Sequence, residues 1–437
     1  MNIWKEKTQI IVVLSVLFLL IMCILLGAFI MTKQANMEGG NGSYYQSQDE
    51  EKVVLDFYTW GDEGFYVNAI ANEFNQLHQN IEVKVHLLDT GDYEVEILDM
   101  LETEAKIDII GARGISKMVQ YKEKGYLHDI TENIQNSNID ITAYGNMYNN
   151  ISINGQYYGL PTRSTCWVLV YNKAIFDRLN IPYPTKMTWN EYRQLAKNIT
   201  EKSNGEFWGG YWIDWIYNFM GIQQSNYLYD DDLQYTKESL EFLYQLMYED
   251  KSHMTFEEIQ KREQDWLNNF EEDRIAMMPQ GEWFVGMILE DEKQGKSSID
   301  WDLAPMPVPD GQEYNTTLGQ YQFAGIVNRC KNKEEAFVFL KFLCGREGAE
   351  ILAKHGMLSA YTNDSIQNLY RLKVGAKNTD VFFDARRIQE QPVYAAYSDL
   401  TEKFMELSEA YFYDNTPIEE VFDAFIIERE KIIEKYE

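Results

Sequence analysis

The sequence is poor in the residues that most catalytic and metal sites require. It has four cysteines and five histidines, and it contains no H-E-x-x-H, G-x-S-x-G, Walker-type or C-x-x-C motif. Acidic residues outnumber basic ones by 69 to 39, and the resulting formal charge of −30 disfavours a nucleic-acid surface. We therefore expect no catalytic residue, no metal, no cofactor and no nucleic-acid partner.

One long apolar run lies near the start of the chain. Residues 10–31 carry no charge, and a helix rising about 1.5 Å per residue over that length crosses the roughly 30 Å hydrocarbon core of a bilayer. Lys5 and Lys7 precede the run, which predicts a cytoplasmic N-terminus and an extracellular remainder. We interpret residues 1–33 as a membrane anchor. The alternatives are a cleaved signal or a lipid-modified Cys23, although Met22 stands where lipoprotein signals have a small residue.

The segment that follows the apolar run has a different composition. Residues 34–52 are rich in Gly, Ser, Asn and Gln, which predicts a flexible tether. Cys166, Cys330 and Cys344 lie beyond it, and an odd number of cysteines cannot all pair within one chain. Buried thiols and a single disulfide both remain open.

The next hundred residues alternate between strand and helix patterns. Apolar strand patterns at 53–58, 81–88 and 107–110 are separated by helical patterns near 65–78 and 93–105. This alternation is typical of a mainly parallel sheet with helices on its faces, in which ligands bind beyond the carboxyl ends of the strands. The loops Thr59–Phe65 and Gly111–Ser116 follow two such ends, so Trp60, Asp62 and Arg113 are candidate ligand contacts.

Several segments, taken in order, resemble one known family. They are "KGYLHDIT" at 124–131, "NGQYYGLP" at 154–161, "LVYNKAIFDRLNIPYPTKMTWNEY" at 169–192, "IAMMPQGEWF" at 275–284, and the helix pair that ends in "HGMLSAY" at 355–361. Together they resemble the solute-binding proteins of sugar-uptake ABC transporters, the group similar to maltose-binding protein. Ser359 departs from the pattern, because the family usually has proline there.

The resemblance implies an α/β fold of two lobes, a periplasmic-binding-protein-like fold with hinge crossovers that closes on its ligand. We expect residues 53–161 and 305–330 to form the N-terminal lobe, and residues 162–304 and 331–437 to form the C-terminal lobe. The crossings between the lobes are predicted near 161–166, 302–306 and 329–332.

Sugar sites in such clefts combine aromatic faces with planar polar side chains. At the predicted rim, "GGYWIDWIYNF" supplies Trp212, Asp214 and Trp215, although the spacing of the two tryptophans also fits a buried helix face. Gln280, Glu282 and Trp283 follow a predicted strand at 275–278, and the resemblance places Trp283 where the family stacks a ring on sugar. Tyr321 and Gln322 stand between glycines that let the backbone approach a ligand, and the resemblance adds Tyr394 and Tyr397.

The resemblance implies a function in uptake. We expect a membrane-tethered extracellular receptor that binds a sugar or oligosaccharide and delivers it to ABC permease subunits. One alternative is a ligand-sensing subunit that feeds a membrane histidine kinase. A secreted glycosidase is a weaker alternative, because no pair of carboxylates stands out in the sequence.

Overall fold

The computed structural model of the chain describes residues 52–103, 105–261, 266–272, 274–375 and 377–436. The predicted anchor and nearly all of the predicted tether lie outside these residues. Within the described ranges, no helix is both long and apolar enough to cross a membrane.

The strands and helices follow one another along the whole described chain. The strands are β1 Val53–Trp60, β2 Ile81–Leu88, β3 Ile109–Ala112, β4 Leu160–Ser164, β5 Trp167–Asn172, β6 Met277–Gly281, β7 Trp301–Pro305, β8 Thr316–Gly319, β9 Tyr321–Ile326 and β10 Arg386–Gln389. The helices of the first half are α1 Gly64–Leu77, α2 Tyr93–Glu102, α3 Ile115–Glu123, α4 Thr131–Asn136, α5 Lys173–Leu179, α6 Trp189–Lys202 and α7 Phe219–Gln223. Those of the second half are α8 Gln234–Tyr244, α9 Phe256–Lys261, α10 Trp266–Glu271, α11 Trp283–Gln294, α12 Lys333–Cys344, α13 Arg346–Lys354, α14 Asp364–Val374, α15 Asp380–Phe383, α16 Tyr397–Tyr413 and α17 Ile418–Glu434.

Two sheets with separate cores give the chain two lobes. The first sheet has the order β2-β1-β3-β9-β4, in which β1 runs parallel to both β2 and β3 and β9 runs antiparallel to both of its neighbours. The second sheet has the order β6-β5-β7 and is antiparallel, and the short β8 pairs with β10 beside it. Each sheet packs into its own cluster of buried apolar side chains, so the predicted two-lobed α/β fold is confirmed.

The chain passes between the lobes at three places. It leaves the first sheet between Ser164 and Trp167. The return falls between β8 and β9, near residue 320, and not near 302–306. The last passage lies beyond α12, because that helix buries its apolar face in the core of the first lobe. The sequence-based boundaries at 305 and 331 therefore need correction, since the apolar pattern of α12 does not specify which sheet it covers.

The segment between β5 and α6 follows its sequence signals closely. A capping box of the T-x-x-E type begins α6: Thr188 Oγ1 accepts the Glu191 N–H at 3.3 Å, and Glu191 Oε2 accepts the Thr188 N–H at 2.8 Å. Asn180 ends α5 in the left-handed conformation, with φ of 48°. Cys166, Cys330 and Cys344 are buried free thiols, which answers the question that their odd number left open.

Candidate functional site

A cavity of about 620 Å³ lies between the two lobes. Its first-lobe wall comes from the ends of β1 and β3 and the start of α1, while α11 and α16 contribute to the second-lobe wall. Four tryptophans line it: Trp60, Trp167, Trp215 and Trp283. A concave, largely aromatic surface with a few polar groups is the usual form of a small-ligand site.

The first-lobe wall is built where two parallel strands end side by side. Trp60 is the last residue of β1, and Arg113 directly follows β3. The Arg113 guanidinium carbon lies 4.8 Å from the centre of the Trp60 ring, and Arg113 Nη2 donates to the Thr90 carbonyl at 2.6 Å. Gly111 leaves room for the ring, because a Cβ at that position would lie 2.9 Å from Trp60. The ring is therefore held in place from two sides.

The second-lobe wall is centred on Trp283, the first residue of α11. Its ring packs edge-on against Trp167, with 5.4 Å between ring centres and 87° between ring planes. It also lies over Gly281, where a Cβ would come within 1.9 Å of the ring. Trp283 is half-buried and packs against the apolar cores of both lobes. The position of this ring thus depends on how the lobes meet.

An acidic side chain stands among these rings. Trp167 Nε1 donates to Glu390 Oε2 at 3.1 Å, and Glu390 lines the cavity just beyond β10. Burial raises the pKa of Glu390 to about 7. Near neutral pH this carboxyl therefore changes between an acceptor of hydrogen bonds and a donor.

A buried charge cluster lies at the hinge end of the cavity. Arg163, on the crossing strand β4, forms ion pairs with Glu63 of the first lobe at 3.2 Å and with Glu282 of the second lobe. Arg163 Nη1 also donates to Gln322 Oε1 and to the Tyr66 hydroxyl, at 3.2 Å each. Burial raises the pKa of Glu63 and of Glu282, and the Arg163 charge opposes that rise. One arginine thus joins both lobes through two carboxylates.

Most predicted contacts meet at the cavity, and the others lie elsewhere for identifiable reasons. The cavity brings together Trp60, Asp62, Arg113, Trp215, Trp283, Gln322 and Tyr397. Trp212 is a core residue, because its indole donates to the Ile216 carbonyl at 3.0 Å and its ring packs on Phe219. Gln280 and Glu282 are fully buried behind the wall, and Tyr321 is buried in the first-lobe core. Asp214 and Tyr394 are partly buried and are not among the lining residues.

Sequence reasoning missed other residues that line the cavity. Trp167 and Glu390 follow no motif, and their proximity arises only when β5 and β10 come together around β8. Tyr66 fits the apolar stripe of α1 and gave no separate signal. From the sequence, Arg163 could face the cleft or be one of the commoner solvated surface arginines. The sequence does not show that Glu63 and Glu282 lie beside it.

The two lobes and the aromatic cavity between them define a hinged ligand-binding protein. The model of the bacterial extracellular solute-binding protein family matches residues 60–350, and the chain belongs to this family. The members are binding proteins and not enzymes. A curated arabinooligosaccharide-binding protein from Halalkalibacterium halodurans is 24% identical over 211 residues, which is 45% of this chain and 45% of that relative. The match thus spans less than half of the relative's length.

Solved structures share the fold over almost their whole length. An ABC substrate-binding protein from Listeria monocytogenes in complex with cycloalternan is 21% identical, with 88% of this chain and 99% of that chain covered and a TM-score of 0.77. A sugar transporter protein from Rhizobium etli, in an open conformation, is 25% identical, with 86% and 99% covered and a TM-score of 0.73. A Thermotoga lettingae solute-binding protein bound to α-D-tagatose is 20% identical, with 87% and 99% covered and a TM-score of 0.72.

Proposed function

We propose that the chain is an extracellular receptor that binds a sugar or oligosaccharide and delivers it to an ABC permease. The tryptophan-lined cavity between the lobes is the observation that carries the proposal. The apolar face of a sugar ring packs well on a flat indole, and its hydroxyls require fixed polar partners. Similar chains that bind cycloalternan and α-D-tagatose, and the arabinooligosaccharide-binding relative, favour a carbohydrate.

In this proposal the two walls of the cavity make different contacts with the ligand. Trp283 and the exposed Trp215 offer ring surface from the second lobe, and the buried Trp60 forms part of the opposite wall. Gln322 and Glu390 supply acceptors for hydroxyl groups. A ligand that contacts both walls stabilises the closed arrangement of the lobes, which is the state that the permease receives. Transport energy comes from other subunits, so the receptor contributes binding alone.

Membrane attachment is a separate part of the proposal. The uncharged run at 10–31, with Lys5 and Lys7 before it, supports an uncleaved anchor whose N-terminus is cytoplasmic. Mass spectrometry of the protein from the membrane fraction would detect the intact N-terminal peptide. A mature protein that begins at a lipid-modified Cys23 would replace the anchor with a lipid.

Isothermal titration calorimetry of the full chain in detergent tests the binding function. We would titrate arabinotriose, mannotriose, maltose and tagatose, and then analyse the recovered ligand by chromatography. We expect saturable binding of at least one of them, with the ligand recovered unchanged. Cleavage of the ligand would favour a glycosidase instead, and the absence of binding to every carbohydrate in a wider panel would contradict a carbohydrate receptor.

A further inference from the structure

A second cavity, of about 280 Å³, lies on the other side of the hinge segment. Tyr144 and Gly145 of the first lobe form one side, and α14 and the start of β10 in the second lobe form the other. The floor is the segment around Ser359 and Ala360, which pairs with the crossing strand β4: the Ala360 N–H donates to the Thr162 carbonyl at 3.1 Å. The proposed sugar site and this cavity share the side chain of Met357 and no other described lining residue.

The charge at this cavity is opposite in sign to that of the whole protein. Among the described residues that line it, Arg387 is the charged one, and none is Asp or Glu. The chain as a whole carries a formal charge of −30. The net charge repels anions at long range, so it is the local Arg387 charge, with no carboxylate in the lining, that favours a negatively charged occupant.

Arg387 lacks the carboxylate partner that a half-buried arginine usually has. Its Nη1 donates to Ser164 Oγ at 2.7 Å and its Nη2 to the Phe382 carbonyl at 3.0 Å, and the side chain also lies against the buried Cys166 thiol. All three of these partners are neutral. The adjacent Arg386 is more exposed and pairs with Glu313 at 3.6 Å. Glu282 feels the Arg387 charge at longer range, but Glu282 is already paired with Arg163 and does not line the cavity.

Two hydrogen-bond donors in the wall of this cavity have no acceptor. Within the described part of the chain, neither the Tyr370 hydroxyl nor Arg387 Nε has a hydrogen-bond partner. Tyr370 is 1% exposed. Buried donors are nearly always satisfied, so an unsatisfied pair beside one cavity indicates a missing acceptor. Thr362 and Gln367 add polar groups to the same surface.

We propose that this hinge cavity binds a small oxyanion, a phosphate or a carboxylate. An oxyanion supplies several acceptors to an arginine and to neighbouring hydroxyls, which a single water cannot do. The volume suffices for such an ion with accompanying waters, each of which occupies about 30 Å³. Because both lobes and the crossing segment line the cavity, the bound ion also stabilises one hinge arrangement. By linkage, the ion and the ligand of the larger cavity then alter each other's affinity.

The test requires no sugar, so its result does not depend on the proposed transport function. Sodium phosphate and, in a second arm, sodium acetate are titrated into the full chain in detergent at constant ionic strength. We expect saturable binding of at least one ion at about 10 mM, tenfold above a millimolar Kd. Binding in the phosphate arm or in the acetate arm identifies the source of the oxyanion group.

Three variants test whether the ion binds in this hinge cavity. We expect Arg387→Met to weaken binding about tenfold or more, because it removes the charge and keeps most of the side-chain volume. Tyr370→Phe removes one unpaired hydroxyl without loss of a native hydrogen bond, and we expect binding about three- to tenfold weaker. Arg386→Met is the matched control, and we expect it to leave the affinity unchanged.

Three results would overturn the proposal. One is the absence of binding of either ion to the wild-type protein. The second is an ion affinity of the Tyr370→Phe variant that equals the wild-type affinity. The third is an Arg386→Met variant whose ion affinity falls as much as that of Arg387→Met. The Tyr370→Phe result decides the question even where Arg387→Met fails to fold.

Discussion

The substitution Arg163→Met leaves two buried carboxylates without their shared cation. Glu282 is 0% exposed and Glu63 is 6% exposed, so neither can be solvated where it stands. Removing one partner from a buried ion pair typically costs about 3–5 kcal/mol, because the remaining charge is uncompensated. Here two charges remain, so we expect the free energy of unfolding to fall by at least that amount at pH 8.

The same substitution changes how stability depends on pH. The folded chain raises the pKa of both carboxyls above the usual 4.5, chiefly by burial, and Arg163 limits the rise. An acid whose pKa is raised by folding destabilises the folded state as the pH increases through that raised pKa. Without Arg163 both pKa values rise further, so the variant should lose more stability at pH 8 than at pH 5.

Urea unfolding of the full chain at the two pH values measures both effects. Glu282→Gln is the matched control: it keeps Arg163 paired with Glu63 at 3.2 Å, and we expect a smaller cost of about 1–3 kcal/mol. Combining Arg163→Met with Glu63→Gln and Glu282→Gln should recover part of the loss. A destabilisation below about 1 kcal/mol, or one that is equal at pH 5 and pH 8, would refute a charge cluster that stabilises the junction of the lobes.

Three other substitutions, one of them with a matched control, test separate parts of the structure. We expect Trp283→Ala to weaken ligand binding by about 1–3 kcal/mol in calorimetry. The control Trp212→Phe, in the core, should affect stability alone. Equal ligand affinity in the Trp283→Ala variant and the wild type would contradict a contact between Trp283 and the ligand. Gly281→Ala should cost about 1–3 kcal/mol in urea unfolding, because its Cβ would come within 1.9 Å of the Trp283 ring; a neutral result would mean that the ring moves freely. Burial lowers the pKa of His253 to about 3 from the usual 6.5. Between these two values the unfolded chain binds a proton that the folded chain does not. The free energy of unfolding therefore falls by about 1.4 kcal/mol for each pH unit below pH 6.5. His253→Gln should remove that slope in acid unfolding experiments, and an unchanged slope would assign it to other groups.

Local sequence signals predicted local structure well. The apolar alternation of β2, the stripe of α1 and the capping box at Thr188 each depend on residues a few positions apart, and each appears where the pattern places it. The two lobes followed from the family resemblance and not from these local signals. The positions of the crossings could not be read from local patterns, because the sheet that a helix or strand joins depends on partners far along the chain.

The residues of the candidate site also differ in whether the sequence could identify them. Residues in loops beyond strand ends, such as Trp60 and Arg113, could be found from the order of the elements. Trp212 and Trp215 share one short segment, and their spacing alone could not tell which ring is enclosed and which lines the cavity. Glu390 could not be found at all, since its role depends on Trp167, which is far away in the sequence.

The position of β9 has a consequence for the order in which the protein folds. This strand lies between β3 and β4 in the interior of the first sheet, although it follows the whole second sheet along the chain. During synthesis, β5, β6 and β7 have all emerged before β9 exists. The second sheet can therefore assemble early, while β3 keeps an open edge and β4 has no partner in its own sheet. Pairings between distant segments form slowly, and open strand edges favour aggregation. The N-terminal lobe, although it is begun first, is thus the later one to complete its sheet and the more exposed to misfolding until residue 326 has been made.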